Sequence, residues 1–287
     1  MKTLLFAIFA LFSLQIIAQD DDNIYFQLDT EQSYYLLADD VNVRSKAALK
    51  ADIVTKIPIG TKLTLIEMDK TSLKLNGFNA PWYKVSFQEK GATQTGYIWG
   101  GFISLLAENH QLAGGELMLF GLSKIEKQKN SDYPDKVTMQ VRICKDNKEL
   151  QKLEYDGSGS SSTNRAVTIS SSKGVNGIKN ILNIEYSDNY CGGAFGNHII
   201  FWNGKKLQLI KHLVSGADAP CYASEDFIFP EDEGGKAGLI LLKSEAGCDE
   251  ELEEGETEPE TTYDHRYMEE YSWKNNKLVF LKKYDIK

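Results

Sequence analysis

Between residues 41 and 105 apolar and polar side chains alternate in short runs. Val41 and Val43, Leu63 and Leu65, Tyr83, Val85 and Phe87, and then Tyr97 and Phe102 fall largely on alternate positions. Each run can therefore turn one side chain in two toward a common core, which predicts half-buried β-strands. Chain breakers separate the runs: Pro58 and Gly60, residues 76–81, and Gly91. Five short strands in this order are expected to close into a small barrel, because closure hides the unpaired edges of so small a sheet.

Beyond Gly114 and Gly115 no helical period appears, and a weak repeat takes its place. CKDNKELQKLEY at 144–155, FWNGKKLQLIKHL at 201–213 and SWKNNKLVFLKKY at 272–284 each set an Asn-rich turn before Lys and Leu, between strand-forming runs. Asn tolerates the positive φ that tight hairpins demand, so all three read as β-hairpins, with Leu150, Leu207 and Leu278 at equivalent positions. Strand candidates at 180–186 and 238–243 precede the second and third hairpins, followed by Cys191 and Cys248. Units of this kind need neighbours to cover their apolar faces, so residues 107–287 are expected to form an all-β repeat domain, either a propeller-like array or a β-sandwich. Residues 156–164 and the acidic stretch 248–265 read as loops.

Within the barrel segment, Asn42-Val43-Arg44-Ser45, Ile57-Pro58-Ile59-Gly60-Thr61, Trp82-Tyr83-Lys84-Val85 and Gly96-Tyr97-Ile98 follow one another in an order that resembles the bacterial SH3 (SH3b) domain family. The resemblance covers residues 34–106, with longer connections than usual at 67–81 and 88–95. It implies a module that binds and positions rather than catalyses. Its implied ligands are peptidoglycan stem or bridge peptides or another envelope protein, and it implies no cofactor.

The first 19 residues, MKTLLFAIFALFSLQIIAQ, place Lys2 ahead of an apolar run and Ala18 just before Asp20–Asp22. The run is shorter than the roughly 20 residues a membrane span needs, so it reads as a secretory signal peptide followed by a linker at 20–33. The expectation is an exported protein, periplasmic or extracellular, without membrane insertion. The formal net charge is −9, and this acidic excess argues against nucleic acid as partner. In an oxidising compartment Cys144, Cys191, Cys221 and Cys248 are disulfide candidates whose pairing the sequence leaves open. The spacing contains no C-x-x-C and His110, His198, His212 and His265 are scattered, so no metal site is expected. The acidic stretch offers hard oxygen ligands suited to calcium but lacks a D-x-D-x-D-G pattern, and its bland reading is a solvated surface loop.

Two constellations invite a catalytic reading. Ser170-x-x-Lys173 and Ser187-Asp188-Asn189 match elements of serine β-lactamases, yet the first follows a strand-like run where that chemistry needs a helix start, and no Lys-Thr-Gly follows. Cys191 and His198 could form a thiol and base, but Cys191 sits in a Gly-rich loop, which favours a half-cystine. The candidate ligand contacts are aromatic: Tyr35, Trp82, Trp99 and Phe102, with Tyr34 beside them. Flat rings grip extended peptides or sugars at low entropic cost. Arg44 reads instead as a structural donor to a turn. The leading expectation is an exported, non-enzymatic binding or targeting protein. The alternative is a divergent envelope hydrolase with residues 107–287 catalytic and the barrel as its targeting unit.

Overall fold

The structure is a computed structural model and describes residues 27–106, 111–112, 114–127, 135–157, 163–187, 194–249 and 261–286. The segment 1–19, expected to be a leader, therefore lies outside the described residues, as do Cys191 and most of the acidic stretch. The chain is almost wholly antiparallel β, and among the described residues the one helical element is a single 3-10 turn at Gly100–Phe102.

The N-terminal sheet contains β1 (Ser33–Tyr35), β2 (Val41–Arg44), β3 (Ile53–Ile57), β4 (Lys62–Leu75), β5 (Phe78–Glu89) and β6 (Ala92–Trp99), in the order β1-β4-β5-β6-β2-β3. The Leu36 amide donates to the Thr61 carbonyl at 2.9 Å, continuing the β1–β4 ladder, and Leu36 also bridges Ile103, which ties the end of β1 to the segment that follows β6. The expected alternation fills its interior at Val41, Val43, Leu63, Leu65, Tyr83, Val85 and Phe87. On β6, however, the buried residue is Ile98, and Tyr97, expected there, turns to the other face and is partly buried against the core that the barrel shares with the next sheet. The chain ahead of residue 33 is tied to the same barrel, with the Leu28 amide donating to Tyr83 Oη at 2.7 Å and the Glu31 amide to the Leu65 carbonyl at 2.7 Å.

The connections at 67–81 and 88–95 are extensions of hairpins. Only Asn76 and Gly77 turn, at φ 51° and 84°, and Phe78 to Pro81 continue as strand. Pro81 is tolerated there because it sits at the irregularity between Met68 and Ser72, where β5 has a neighbour on one side only. Lys90 and Gly91 make the second tight turn, at φ 50° and 80°.

A three-stranded sheet follows, of β7 (Leu117–Glu126), β8 (Lys136–Lys145) and β9 (Lys148–Asp156). The period of two divides β7 cleanly. Met118, Phe120 and Leu122 join a core shared with Phe78, Trp82 and Trp99 of the barrel, whereas Leu119 packs with Leu37, Ile59 and Cys144. Ser104 Oγ both receives the Phe120 amide and donates to the Phe120 carbonyl, each at 3.2 Å, riveting the end of the barrel to β7.

The last sheet is one continuous eight-stranded meander: β10 (Thr163–Ser170), β11 (Asn180–Ser187), β12 (Ala194–Trp202), β13 (Leu207–Asp218), β14 (Cys221–Ile228), β15 (Ile240–Asp249), β16 (Thr261–Lys274) and β17 (Lys277–Asp285). All three expected hairpins are present, turning at Asp146-Asn147, around Gly204 and at Asn275-Asn276. Their spatial relationship was not legible in the sequence. The second and third belong to one curled sheet, and the first lies in the separate β7–β9 sheet, so they are not successive blades. The three leucines are not equivalent either: Leu150 is exposed on the edge strand β9, while Leu207 is buried in the shared core. Cys248, expected in a loop, lies within β15, and residues 261–265 of the acidic stretch are strand.

Candidate functional site: an aromatic-floored groove on the barrel

The geometry of the site begins with two glycines. A side-chain carbon on Gly101 would lie 2.2 Å from the Trp99 indole, and one on Gly100 would lie 2.9 Å from the Pro81 carbonyl oxygen. Only the bare backbone of Trp-Gly-Gly-Phe lets the 3-10 turn fold flat across Trp99 and bring Phe102 edge-on to it, with ring centroids 5.0 Å apart at 81°. Trp99 stands opposite Trp82 across β5 and β6. Its indole N–H donates to the carbonyls of Leu73 at 2.8 Å and Ala80 at 3.1 Å, so the extended β4–β5 hairpin satisfies the buried donor.

These rings floor a groove of about 230 Å³. Asp39, Asp40 and Asn42 border it on one side, Leu49 and Arg44 on the loop side, and Leu73 and Leu75 on the hairpin side. The loop 45–52 is braced twice. Arg44 Nη1 donates to the Ala51 carbonyl at 2.8 Å, and Thr71 Oγ1 donates to the Ala47 carbonyl at 3.2 Å. Arg44 is thus a donor to a turn, as its type suggested, and it also lines the groove. Asp39 Oδ1 receives the amides of Asp40 and Ile59, and Asp40 pairs with Lys56 at 3.6 Å on the open surface. One rim is therefore acidic, while the floor is aromatic.

The expected contact residues separate in space. Trp82, Trp99 and Phe102 meet at the groove, but the indoles are mostly sealed, at 4% and 1% exposed, and Phe102 is the more open ring. They form a floor rather than a projecting platform, because the unusually long hairpin covers them with Leu73 and Leu75. Tyr35 is elsewhere, packed with Leu117 beside Ile59 and Cys144. Tyr34 is buried in the barrel core. The part played by Leu49, Asp39 and Asp40 was missed, because loop residues leave no periodic signal; the Gly-Gly pair after Trp99 was the available clue to the turn.

The cysteine candidates also divide. Cys221 and Cys248 are register partners on β14 and β15 and form a disulfide. Cys144, expected among the half-cystines, is a free thiol instead, buried where β8 meets the barrel, and burial pushes its pKa up to about 11. The catalytic motifs have other attachments. Lys173 pairs with Asp232 at 3.0 Å and stacks over Phe229, in a loop after β10 rather than on a helix. His198 is 1% exposed among Tyr155, Tyr186 and His212; neither ring nitrogen has a hydrogen-bond partner among the described residues, and burial takes its pKa down to about 4. Asp188, Asn189 and Cys191 lie outside the described residues. Among the described residues no group of three or more His, Cys, Asp or Glu side chains gathers as a metal site, and no helix is long and apolar enough to cross a membrane.

No curated protein and no solved structure matches the chain. The bacterial SH3 domain family model matches residues 39–104, a span that begins at the acidic rim and ends just past the 3-10 turn. The barrel that carries this groove is a bacterial SH3 domain.

Proposed function

We propose that the chain is an exported targeting protein whose SH3 groove holds an extended peptide of the cell envelope, with peptidoglycan stem or bridge peptides as the substrate class. Bacterial SH3 domains are binding modules that commonly take cell-wall components, and this supports the reading. The observation that carries it is the meeting of Trp82, Trp99 and Phe102 beneath the acidic rim of Asp39 and Asp40. An apolar floor with a few polar groups at its border suits a backbone of small side chains, and the carboxylates suit an amine on the ligand. The cross-strand disulfide supports a life outside the cytoplasm. In this reading the β7–β9 sheet and the curled meander hold the groove in place or carry a second partner contact. The test is cosedimentation of the purified protein with isolated peptidoglycan, beside Phe102→Ala and Asp40→Asn variants that leave the barrel core intact.

A further inference from the structure

On the side of the barrel facing the β8–β9 turn lies a larger cleft, of about 480 Å³. Its walls are the turn after β3, the outer face of β4 and β5, and Asn147 at the tip of the β8–β9 hairpin. Asn147 Nδ2 donates to the Ile59 carbonyl at 3.0 Å, so the tip is fixed to the barrel and the cleft is bounded on both sides.

Three lysines line it: Lys56, Lys62 and Lys90. Lys56 is shared with Asp40, but Lys62 and Lys90 have no carboxylate partner among the described residues. The one acidic residue of the lining, Glu89, instead accepts from Thr55 Oγ1 at 2.9 Å. With Asp40 set against Lys56 and Glu89 left in the lining, the cleft still carries a net positive charge, in a chain with 41 acidic and 32 basic residues. Thr64 and Ser86 are register partners across β4 and β5, and both side chains reach the cleft with no hydrogen-bond partner among the described residues. Lys62 stands two residues from Thr64, and Gln88 two from Ser86, so the period of two brings all four to one face.

We infer that this cleft binds a ligand carrying two or more linked phosphate groups. Compact ammonium groups neutralise dense anionic charge without demanding a planar partner, the Thr64 and Ser86 hydroxyls add donors beside them, while the Gln88 amide is held by Thr93 Oγ1 at 2.8 Å, and the volume admits several phosphates. The site is separate from the aromatic groove and does not depend on the peptide reading.

The probe is inorganic tripolyphosphate, titrated calorimetrically into the full protein at 50 and 200 mM NaCl, with citrate as the carboxylate arm. Lys62→Gln with Lys90→Asn is the informative double variant. Asn is well suited to the positive φ of position 90, so the turn is kept. The expected results are binding by the native protein that weakens as salt screens it, at least about tenfold loss in the double variant, unchanged binding in Phe102→Ala, and weaker binding of citrate. If the double variant does not fold, tripolyphosphate-induced NMR shifts at Thr64, Ser86 and Gln88 of the native protein locate the site. Absence of tripolyphosphate binding, full affinity in the double variant, citrate binding as tightly, or NMR shifts confined to other residues would each overturn the inference. Loss in Phe102→Ala alone would move the site to the groove and would equally refute it.

Discussion

Gly77 rests against Ile125. A side-chain carbon on Gly77 would stand 1.8 Å from the Ile125 carbonyl oxygen, and the Ile125 amide donates to the Asn76 carbonyl at 2.9 Å. The tip of the long SH3 hairpin is thereby locked onto β7, the same hairpin that supplies the carbonyls held by Trp99. Gly77→Ala should cost about 2–4 kcal/mol, because backbone must move and the φ of 84° is strained for any side chain. Gly91→Ala is the control: its φ is 80° but nothing lies within 4 Å of the added carbon, so about 1 kcal/mol is expected. Chemical denaturation of the two variants measures the difference, and equal losses would show that the contact with β7 contributes nothing.

Trp99 and Phe102 should respond unequally to truncation. Trp99→Ala removes a sealed ring that supports the shared core and should destabilise the fold by about 3–5 kcal/mol. Phe102 is half-buried, so Phe102→Ala should cost only about 1–2 kcal/mol while opening the groove. Thermal melts of both variants, read beside peptidoglycan binding, separate the structural ring from the contact ring.

Acid should loosen the protein before its carboxylates protonate. His198 titrates near 4 when folded against an ordinary 6.5, so the unfolded chain takes up the proton first. Stability is therefore fully present above about pH 6.5 and declines as pH falls toward 4. His212 is shifted in the same direction by burial. Between pH 7 and pH 5 the loss from His198 is about 2 kcal/mol. His198→Phe should flatten the dependence of the melting temperature on pH in that window; an unchanged slope would assign the dependence to other groups.

The cysteines make a chemical prediction. In the folded protein at pH 8, Cys144 should resist iodoacetamide and become labelled only in denaturant, since burial keeps its thiol protonated. Peptide mapping without reductant should recover Cys221 joined to Cys248. Rapid alkylation of native Cys144 would contradict the packing of β8 against Ile59 and Gly60.

The local order of the barrel was written in the alternation of Val41, Val43, Leu63, Leu65, Tyr83 and Val85, and the three hairpin turns in their Asn pairs, because both are short-range signals. What joins those pieces was not. The Met118, Phe120 and Leu122 face of β7 looks like any half-buried strand, and nothing local says that it completes a core containing Trp82 and Trp202. The same limit applied to the site. Aromatic residues near the barrel mouth were identifiable by type, but Tyr35 and Trp99 were separated only by tertiary packing, and the length of the β4–β5 hairpin turned prospective surface rings into a floor. The lysine cleft left no motif at all, since Lys62 and Lys90 come together only through the pairing of β4 with β5.

The central claim is that the aromatic-floored groove takes an envelope peptide. Its most direct test is the cosedimentation of native protein, Phe102→Ala and Asp40→Asn with purified peptidoglycan at 150 mM salt. The account predicts that the native protein sediments and that both folded variants stay at least about fivefold more in solution. Native protein remaining in the supernatant, or variants that sediment as well as it does, would contradict the claim.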